Sequence, residues 1–301
     1  MFFHTGIATA IAPAASLMKT DALDVAPLGD DDIAEVLAFL AERPIHTVMM
    51  AGLIRDNGLV SALNRGTFYG CRDQSGCLEG VVLIGEIMML EARNEAALAA
   101  SARLAQGYPS AYMIIGEQEK IERFWTYYHG SGQTPRLFCR ELLFQLGWPA
   151  KHREPVSGLR LATMDDLEIV MPVHAAMAFE ESGINPLEVD PNGFRQRCAR
   201  RINQQRVWVW TEGRRVIFKA DVVSETAEVT YLEGVYVDPD ERRKAVGLRC
   251  ISQLSQRLLT RTKLLCLLVN DENPEAQTLY RKARYQFRGY YHTIFLQQQS
   301  N

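Results

Sequence analysis

The chain has 301 residues, of which 47% are hydrophobic and 23% charged, as is typical of a globular protein with one large or two ordinary domains. The net charge of −3 argues against a nucleic-acid-binding protein, which would normally be far more basic. No stretch reaches the roughly 18 apolar residues of a membrane span, and residues 1–20 lack the basic start of a signal peptide. We therefore predict a cytoplasmic protein, without membrane association, whose first residues form a tail or an arm.

The six cysteines form no Cys-x-x-Cys pair, and several lie in apolar runs. This pattern favours reduced, structural thiols. Histidine and cysteine do not cluster as they would in a structural zinc site, so we expect no metal.

The clearest domain boundary is the segment GWPAKHREPVSG, residues 147–158, where proline, glycine and charged residues are concentrated. We therefore predict two domains, 1–150 and 156–301. The net charge is −6 over residues 1–150 and +3 over residues 151–301. An anionic ligand would thus be less repelled by the second half.

In the first half, the Asp run of LGDDDIAEVLAFLAERP can cap a helix whose apolar residues have helical spacing. TFYGCR, the turn DQSG and CLEGVVLIGEIMMLEA predict a hairpin that runs into a further strand. A helix in NEAALAASARLAQG, a strand in AYMIIG, a helix in EKIERFWTYYHG and a strand in RLFCRELLFQL follow.

The second half repeats this order of elements. A helix in TMDDLEIVMPVHAAMAFEES precedes a hairpin, RVWVWT and VIFKADVV, and the strand VTYLEGVYV. VGLRCISQLSQRLLTRT is an amphipathic helix, and LLCLLV is apolar on both faces, like a strand inside a sheet. The helix NPEAQTLYRKA and the strand GYYHTIFL complete the half. The shared order predicts two copies of one α/β unit.

A basic loop, DERRKAVG at residues 240–247, separates the strand that ends at Val237 from the amphipathic helix. A strand–loop–helix junction lets backbone N–H groups and the helix dipole converge on an anion. Small residues allow a phosphate to approach closely, and Ala245 and Gly247 are small. The pattern favours a pyrophosphate site held mainly by backbone, and a solvated charged turn is the alternative.

Residues 231–287 resemble the core of the GCN5-related N-acetyltransferase (GNAT) superfamily. The family's pyrophosphate loop reads Q/R-x-x-G-x-G/A, and Arg242, Ala245 and Gly247 match it, with alanine in place of the usual first glycine. The family's later N-x-x-A-x-x-L-Y-x-K-x-G-F is met at Asn273, Ala276, Leu279, Tyr280 and Lys282. The sequence departs from it at Arg284 and Tyr285, where glycine and phenylalanine are expected.

The stretch from AFEESGINPLEVD to LEGVYVDP is similar to a GNAT subgroup that carries an N-terminal domain of the DUF4081 type. The resemblance implies a mixed, mostly antiparallel sheet with flanking helices, in a tandem of two GNAT-like units. The first half has only RNE, residues 93–95, where the loop would be, so we expect no second CoA site there. We expect this degenerate unit to brace the active one or to shape its acceptor cleft.

The resemblance implies acetyl-CoA as co-substrate, with pantetheine inserted between the splayed fourth and fifth strands. The backbone of Val235, Tyr236 and Val237 would pair with it. The phosphate-binding residues would be Arg242, Arg243, Lys244, Ala245, Val246, Gly247 and Leu248. Asn273 is a further cofactor candidate, although it equally fits a helix N-cap.

Tyr280 matches the family's general acid, which protonates the departing thiolate, and a core tyrosine is the alternative. Glu233 is the best candidate for the base, and a strand-edge charge is its alternative. Strand alternation predicts that Glu233 shares a face with Val235 and Val237.

Glu180 and Glu181 are predicted in a loop between the first two helices of this half, where they would attract a cationic amine or form a solvated turn. The expected function is acetyl transfer from acetyl-CoA to an unidentified small-molecule or peptide amine. A non-catalytic CoA-binding sensor and transfer of another acyl group stay open. The oligomeric state also stays open, including a homodimer.

Overall fold

The structure, a computed structural model, describes residues 23–149 and 155–297. The predicted tail, residues 1–20, and part of the predicted boundary segment lie outside these residues. No helix in the described ranges is long and apolar enough to cross a membrane.

The first half runs strand, two helices, three strands, then helix, strand, helix, strand. Its strands are β1 (Asp24–Pro27), β2 (Gly66–Arg72), β3 (Leu78–Gly85), β4 (Ile87–Ala92), β5 (Met113–Glu117) and β6 (Pro135–Leu146). Its helices are α1 (Ile33–Ala41), α2 (Pro44–Asn57), α3 (Glu95–Ala105) and α4 (Gln118–Tyr128).

The second half has the same order, with one more short helix. Its strands are β7 (Arg160–Leu161), β8 (Val207–Glu212), β9 (Arg215–Glu225), β10 (Val229–Val237), β11 (Leu264–Asn270) and β12 (Gln286–Leu296). Its helices are α5 (Leu167–Ser182), α6 (Pro186–Val189), α7 (Pro191–Asn203), α8 (Val246–Leu258) and α9 (Pro274–Lys282). The prediction of a repeated α/β unit is confirmed, although it missed α2 and the shortest elements.

All these strands join one sheet, in the order β1-β2-β3-β4-β5-β12-β6-β11-β10-β9-β8-β7. Only β4–β5 and β10–β11 pair in parallel among them. The mostly antiparallel sheet that the resemblance implied is therefore present. LLCLLV was predicted as an inner strand because both its faces are apolar, and β11 does lie inside the sheet, between β6 and β10.

The last strands of the two halves are exchanged. β6 ends the first half but pairs with β11 of the second, from Leu146–Leu265 to Glu141–Asn270. β12 ends the second half but pairs with β5 of the first. β6 and β12 also pair with each other at the centre, so the sheet runs through both units without a break.

The helices cover both faces of this sheet. α8 and α9 pack on one face of the second unit, where Val246, Cys250, Ile251, Leu254 and Leu258 of α8 are at most 4% exposed. This is the apolar stripe that the spacing predicted. α2 and α5 pack on the opposite face.

The two units also share a hydrophobic core. On the face covered by α2, its residues Val48 and Ile54 pack in one cluster with Val229 and Tyr231 of β10. Ser224 of β9 donates a hydrogen bond to the Val48 carbonyl, at 2.5 Å. The first half therefore braces the sheet of the second directly.

Candidate active site

A gap opens in the sheet between β10 and β11. Their parallel pairing starts at Val229–Leu264 and ends at Leu232–Leu267. Beyond this point β10 stays paired with β9, while β11 stays paired with β6. The backbone of Val235, Tyr236 and Val237 thus borders the gap where the resemblance implied that pantetheine would insert.

The start of α8 lies beside this gap and has free backbone donors. Its N-cap residue, Ala245, makes no side-chain capping bond. The first helical hydrogen bond runs from the Arg249 N–H to the Ala245 carbonyl, at 3.0 Å. In the described part of the chain, the N–H groups of Val246, Gly247 and Leu248 have no acceptor. An uncapped helix N-terminus of this kind is suited to bind an anion.

The side chain of Val246 and the Cα of Gly247 face the core. Val246 is 4% exposed, and a Cβ added at Gly247 would lie 2.9 Å from a methyl group of Val237. Gly247 therefore lets α8 pack closely against β10. Only the backbone of these two residues is available to a phosphate.

The backbone of the basic loop is strained at two positions. Ala245 has φ +60° and Arg243 has φ +63°, a left-handed conformation that favours glycine. Arg284, at the other position where the family pattern has glycine, has φ +71°. The structure thus explains the family's glycines: this chain keeps the turn geometry with residues that fit it less well.

The three basic side chains of the loop are exposed. Arg242 donates to the Val237 carbonyl at 3.3 Å, and Lys244 pairs with Glu241 at 3.3 Å. No ion pair involves Arg243 among the described residues, so this guanidinium is the freest to meet a second phosphate.

Tyr280 of α9 lies on the α8 side of the sheet and is 6% exposed. Its ring packs against Phe144 of the exchanged strand β6 and against Tyr285. Burial and the neighbouring Tyr285 raise the pKa of Tyr280 far above that of a free tyrosine, so the hydroxyl keeps its proton. Among the described residues it has no hydrogen-bond partner.

Asn273 is the N-cap of α9, and its side-chain oxygen accepts from the Ala276 N–H at 2.9 Å. The predicted capping role is confirmed, with Pro274 at the first helical position. Its role in cofactor binding stays a prediction.

Glu233 lies on the face opposite to Val235 and Val237, so the predicted shared face is wrong. A β-bulge at Gly234, with φ +59°, shifts the register of β10 against β9. Val235 and Val237 pack with the α8 core, whereas Tyr236 packs toward α5 and α7. Glu233 and Tyr280 therefore lie on opposite faces of the sheet.

A buried lysine holds this bulge in place. Lys219 on β9 is 0% exposed, and its Nζ donates to the Gly234 carbonyl at 3.0 Å and to Asp221 at 2.8 Å. His174 of α5 and Arg201 of α7 each lie 3.4 Å from Asp221. Burial opposes the Asp221 charge, but the positive charges of Lys219 and Arg201 outweigh it and lower the pKa of Asp221.

His174 has a structural role in this cluster. Burial and the charge of Lys219 lower the pKa of His174 to about 3, so its ring is neutral. His174 is thus a core histidine rather than a candidate catalyst.

Glu180 and Glu181 lie in the last turn of α5, not in a loop as predicted, because the helix continues to Ser182 and ends at Gly183. Burial and the charges of Glu233 and Glu141 raise the pKa of Glu181 to about 8. The Glu181 side chain is nevertheless exposed to solvent.

Glu141 of β6 is a carboxylate at the edge of the gap that the sequence analysis did not single out. It lies opposite Asn270 at the end of β11 and accepts a hydrogen bond from the Thr293 hydroxyl. Burial and the charge of Glu233 raise the pKa of Glu141 to about 6. No local pattern could have placed this first-half residue near the gap, because only the strand exchange pairs β6 with β11.

The first half has a cleft at the corresponding place, beside the parallel strands β4 and β5. Glu91 comes four residues after the start of the β4–β5 pairing, as Glu233 does in the β10–β11 pairing. Arg43 pairs with Glu91 at 3.0 Å and with Glu117 at 2.6 Å, and Lys120 pairs with both. This cleft has a volume of about 890 Å³, and both these paired charges and residues of β12 from the second half line it.

Comparison with known proteins gives one match to a family model, that of FR47-like protein, over residues 220–295. This segment runs from β9 to β12 and includes the loop, the gap and both flanking helices. No match was found among curated proteins. No group of three or more metal-binding side chains suited to a metal ion was found within the described residues.

Solved structures match along nearly the whole chain. A Drosophila protein is 14% identical, with 92% of this chain and 99% of that chain covered and a TM-score of 0.67. A GNAT-family acetyltransferase from Colwellia psychrerythraea is 11% identical, with 91% and 99% covered and a TM-score of 0.56. A tandem GNAT protein from the clavulanic acid biosynthesis pathway is 12% identical, with 91% and 98% covered and a TM-score of 0.54.

The fold is therefore that of the GNAT acetyltransferases. The predicted resemblance to the GNAT superfamily is confirmed, and the chain is a tandem of two GNAT-like units. The DUF4081-type subgroup stays a prediction.

Proposed function

We propose that this protein is an N-acetyltransferase that transfers an acetyl group from acetyl-CoA directly to a primary amine, in a ternary complex. The observation that carries this proposal is the gap between β10 and β11 with the uncapped start of α8 beside it. Backbone donors at both places fit a ligand that combines an extended amide chain with a pyrophosphate.

The backbone of Val235, Tyr236 and Val237 would pair with pantetheine, and the N–H groups of Val246, Gly247 and Leu248 would bind pyrophosphate. Ala245 shapes this turn. Arg242, Arg243 and Lys244 would meet the remaining phosphate charge, and Asn273 fixes the start of α9 nearby.

When bound, acetyl-CoA supplies an acetyl group activated as a thioester. Glu233 accepts a proton from the acceptor ammonium, so that the amine becomes nucleophilic. Tyr280, which keeps its proton, donates it to the departing sulfur. A backbone N–H at the Gly234 bulge polarises the thioester carbonyl. Lys219 holds this N–H in position, because its ammonium donates a hydrogen bond to the Gly234 carbonyl.

A CoA-binding sensor without catalysis is the second candidate. The left-handed conformations of Ala245 and Arg284 favour this candidate, because they strain the backbone at both turns. Turnover requires a more exact geometry than binding does, so this strain would impair turnover first.

The test measures CoA binding by calorimetry and thiol release from acetyl-CoA over a panel of primary amines. The Arg243→Ala variant should weaken binding of CoA more than that of 3′-dephospho-CoA. Arg214→Ala, in the exposed turn between β8 and β9, is the matched control and should change neither. Binding without thiol release for any amine would favour the sensor, and absence of CoA binding would refute both candidates.

A further inference from the structure

The cleft beside β4 and β5, which we call the first-half cleft, is built by both halves of the chain. Residues around the α1–α2 junction, the ends of β4 and β5 and the start of α4 line it from the first half. Residues 287–291 of β12 line it from the second half. Its volume of about 890 Å³ is that of a small-molecule site, and such sites often lie between packed units.

The charged side chains of the first-half cleft balance one another. Four carboxylates and four basic groups line it: Glu42, Glu91, Glu117 and Glu119, and Arg43, Arg93, Lys120 and Arg288. Ion pairs join Arg43 and Lys120 to Glu91 and Glu117, and Arg93 to Glu42. In the described part of the chain, the remaining two, Glu119 and Arg288, make no ion pair, so one charge of each sign is free for a ligand.

The free cation of the first-half cleft lies at a β-bulge. The pairing between β12 and β6 skips one residue between Phe287 and Gly289, so Arg288 has no partner on β6. The guanidinium of Arg288 donates to two neutral side chains, Gln145 and Gln286, both at 3.0 Å. Bulges commonly re-aim a side chain beside a functional site.

Two aromatic rings of the same strand segment line the first-half cleft. Phe287 and Tyr290 are each 42% exposed, and their ring centroids lie 5.0 Å apart. An exposed apolar patch that is rimmed by polar residues is typical of a ligand-binding groove. These rings offer a surface on which an aromatic group of a ligand can pack.

We propose that the first-half cleft binds a zwitterion that carries an aromatic ring, an aromatic amino acid or a short peptide that contains one. Glu119 binds its ammonium, Arg288 binds its carboxylate, and Phe287 and Tyr290 pack against its ring. The proposal goes beyond acetyl transfer and does not depend on it. The ligand is not the acetyl acceptor, because the cleft lies beside β4 and β5 rather than beside the gap between β10 and β11.

The balanced charges also decide against a second CoA site in the first half. The phosphates of CoA would meet one free guanidinium, Arg288, among four carboxylates. Like charges in a cleft repel one another, so this lining disfavours a ligand with a large net negative charge. A zwitterion has no net charge and leaves the existing ion pairs intact.

The experiment measures binding of small probes to the full chain by calorimetry. Phenylalanine and glycylphenylalanine carry both charges and the ring, phenethylamine lacks the carboxylate, 3-phenylpropanoate lacks the ammonium, and alanine lacks the ring. We expect at least one of the two zwitterions with a ring to bind about fivefold tighter than either one-charge analogue. Alanine should bind about tenfold more weakly than that zwitterion, because it buries no ring.

Two variants separate the charged contacts. Arg288→Gln should weaken the zwitterion and 3-phenylpropanoate about fivefold and leave phenethylamine unchanged. Glu119→Gln should weaken the zwitterion and phenethylamine instead. Arg214→Gln, in the exposed turn between β8 and β9, is the matched control and should change none of them.

A third variant fills the first-half cleft. A Cβ added at Gly289 would meet no atom of the described chain within 4 Å, so Gly289→Leu should fold, and circular dichroism checks this. Gly289→Leu should abolish binding of the zwitterion and leave the Kd of CoA unchanged. Equal binding of all the probes with a ring, or zwitterion binding that survives both Arg288→Gln and Gly289→Leu, would overturn the proposal.

Discussion

Replacement of Lys219 by methionine tests the buried support of the bulge. Lys219→Met keeps much of the side-chain volume but removes the donor to Asp221 and to the Gly234 carbonyl. Asp221, 1% exposed, would keep only His174 and Arg201 as neighbours at 3.4 Å.

The expected cost follows from this burial. Removal of one partner of a buried ion pair typically costs about 3–5 kcal/mol, because the remaining charge stays buried. Such a loss is large beside the roughly 5–15 kcal/mol that stabilises most domains. Lys263→Met is the control: Lys263 also pairs at 2.8 Å, with Glu228, but is 71% exposed, so about 1 kcal/mol or less is expected.

The assay is urea unfolding followed by circular dichroism, together with turnover measured as thiol release. The double variant Lys219→Met/Asp221→Leu removes both buried charges, so it should recover most of the stability but not the turnover, because the Gly234 carbonyl still lacks its donor. Equal stability of Lys219→Met and Lys263→Met would refute the argument about the buried pair. Full turnover in the double variant would refute the role of Lys219 at the bulge.

Three further predictions concern the acid, the loop and the buried histidine. Tyr280→Phe should lower kcat about 100-fold or more, with little change in stability or in the Kd of CoA, because the hydroxyl has no partner among the described residues; full turnover would exclude it as the acid. Ala245→Gly should stabilise the protein by about 0.5–1 kcal/mol in thermal unfolding, since φ is +60° there, whereas Ala176→Gly inside α5 should destabilise it. The pKa of His174 is lowered to about 3 in the folded chain, so on acidification this histidine is protonated in the unfolded chain before it is in the folded one. Stability should therefore fall as the pH drops from about 6.5 toward 3. His174→Asn should flatten this slope by up to about 1.4 kcal/mol per pH unit, and exposed His129→Asn should not; unfolding curves at several pH values compare them.

Local patterns predicted the elements around the loop well. The apolar stripe of α8, the two-faced apolarity of β11 and the Asn273–Pro274 start of α9 each depend on neighbours along the chain. These are the features that helix periodicity and capping rules describe.

Partner choice in the sheet was not predictable in this way. β6 and β12 have apolar residues that fit either neighbour, so nothing local indicates that they exchange. The position of Glu141 depends on this exchange, so the sequence analysis predicted neither. The bulge also explains why Glu233 was predicted on the wrong face of the sheet. The sequence did contain a sign of this bulge, because Gly234 lies inside a strand.

Amide hydrogen exchange with and without CoA tests the assigned acetyl-CoA site most directly. We expect CoA to protect the N–H groups of Val246, Gly247 and Leu248, and the β10 backbone over residues 235–237, with no change around Glu91 in the first half. Protection around Glu91 instead, or none at the start of α8 at saturating CoA, would contradict the assignment of the gap between β10 and β11 as the acetyl-CoA site.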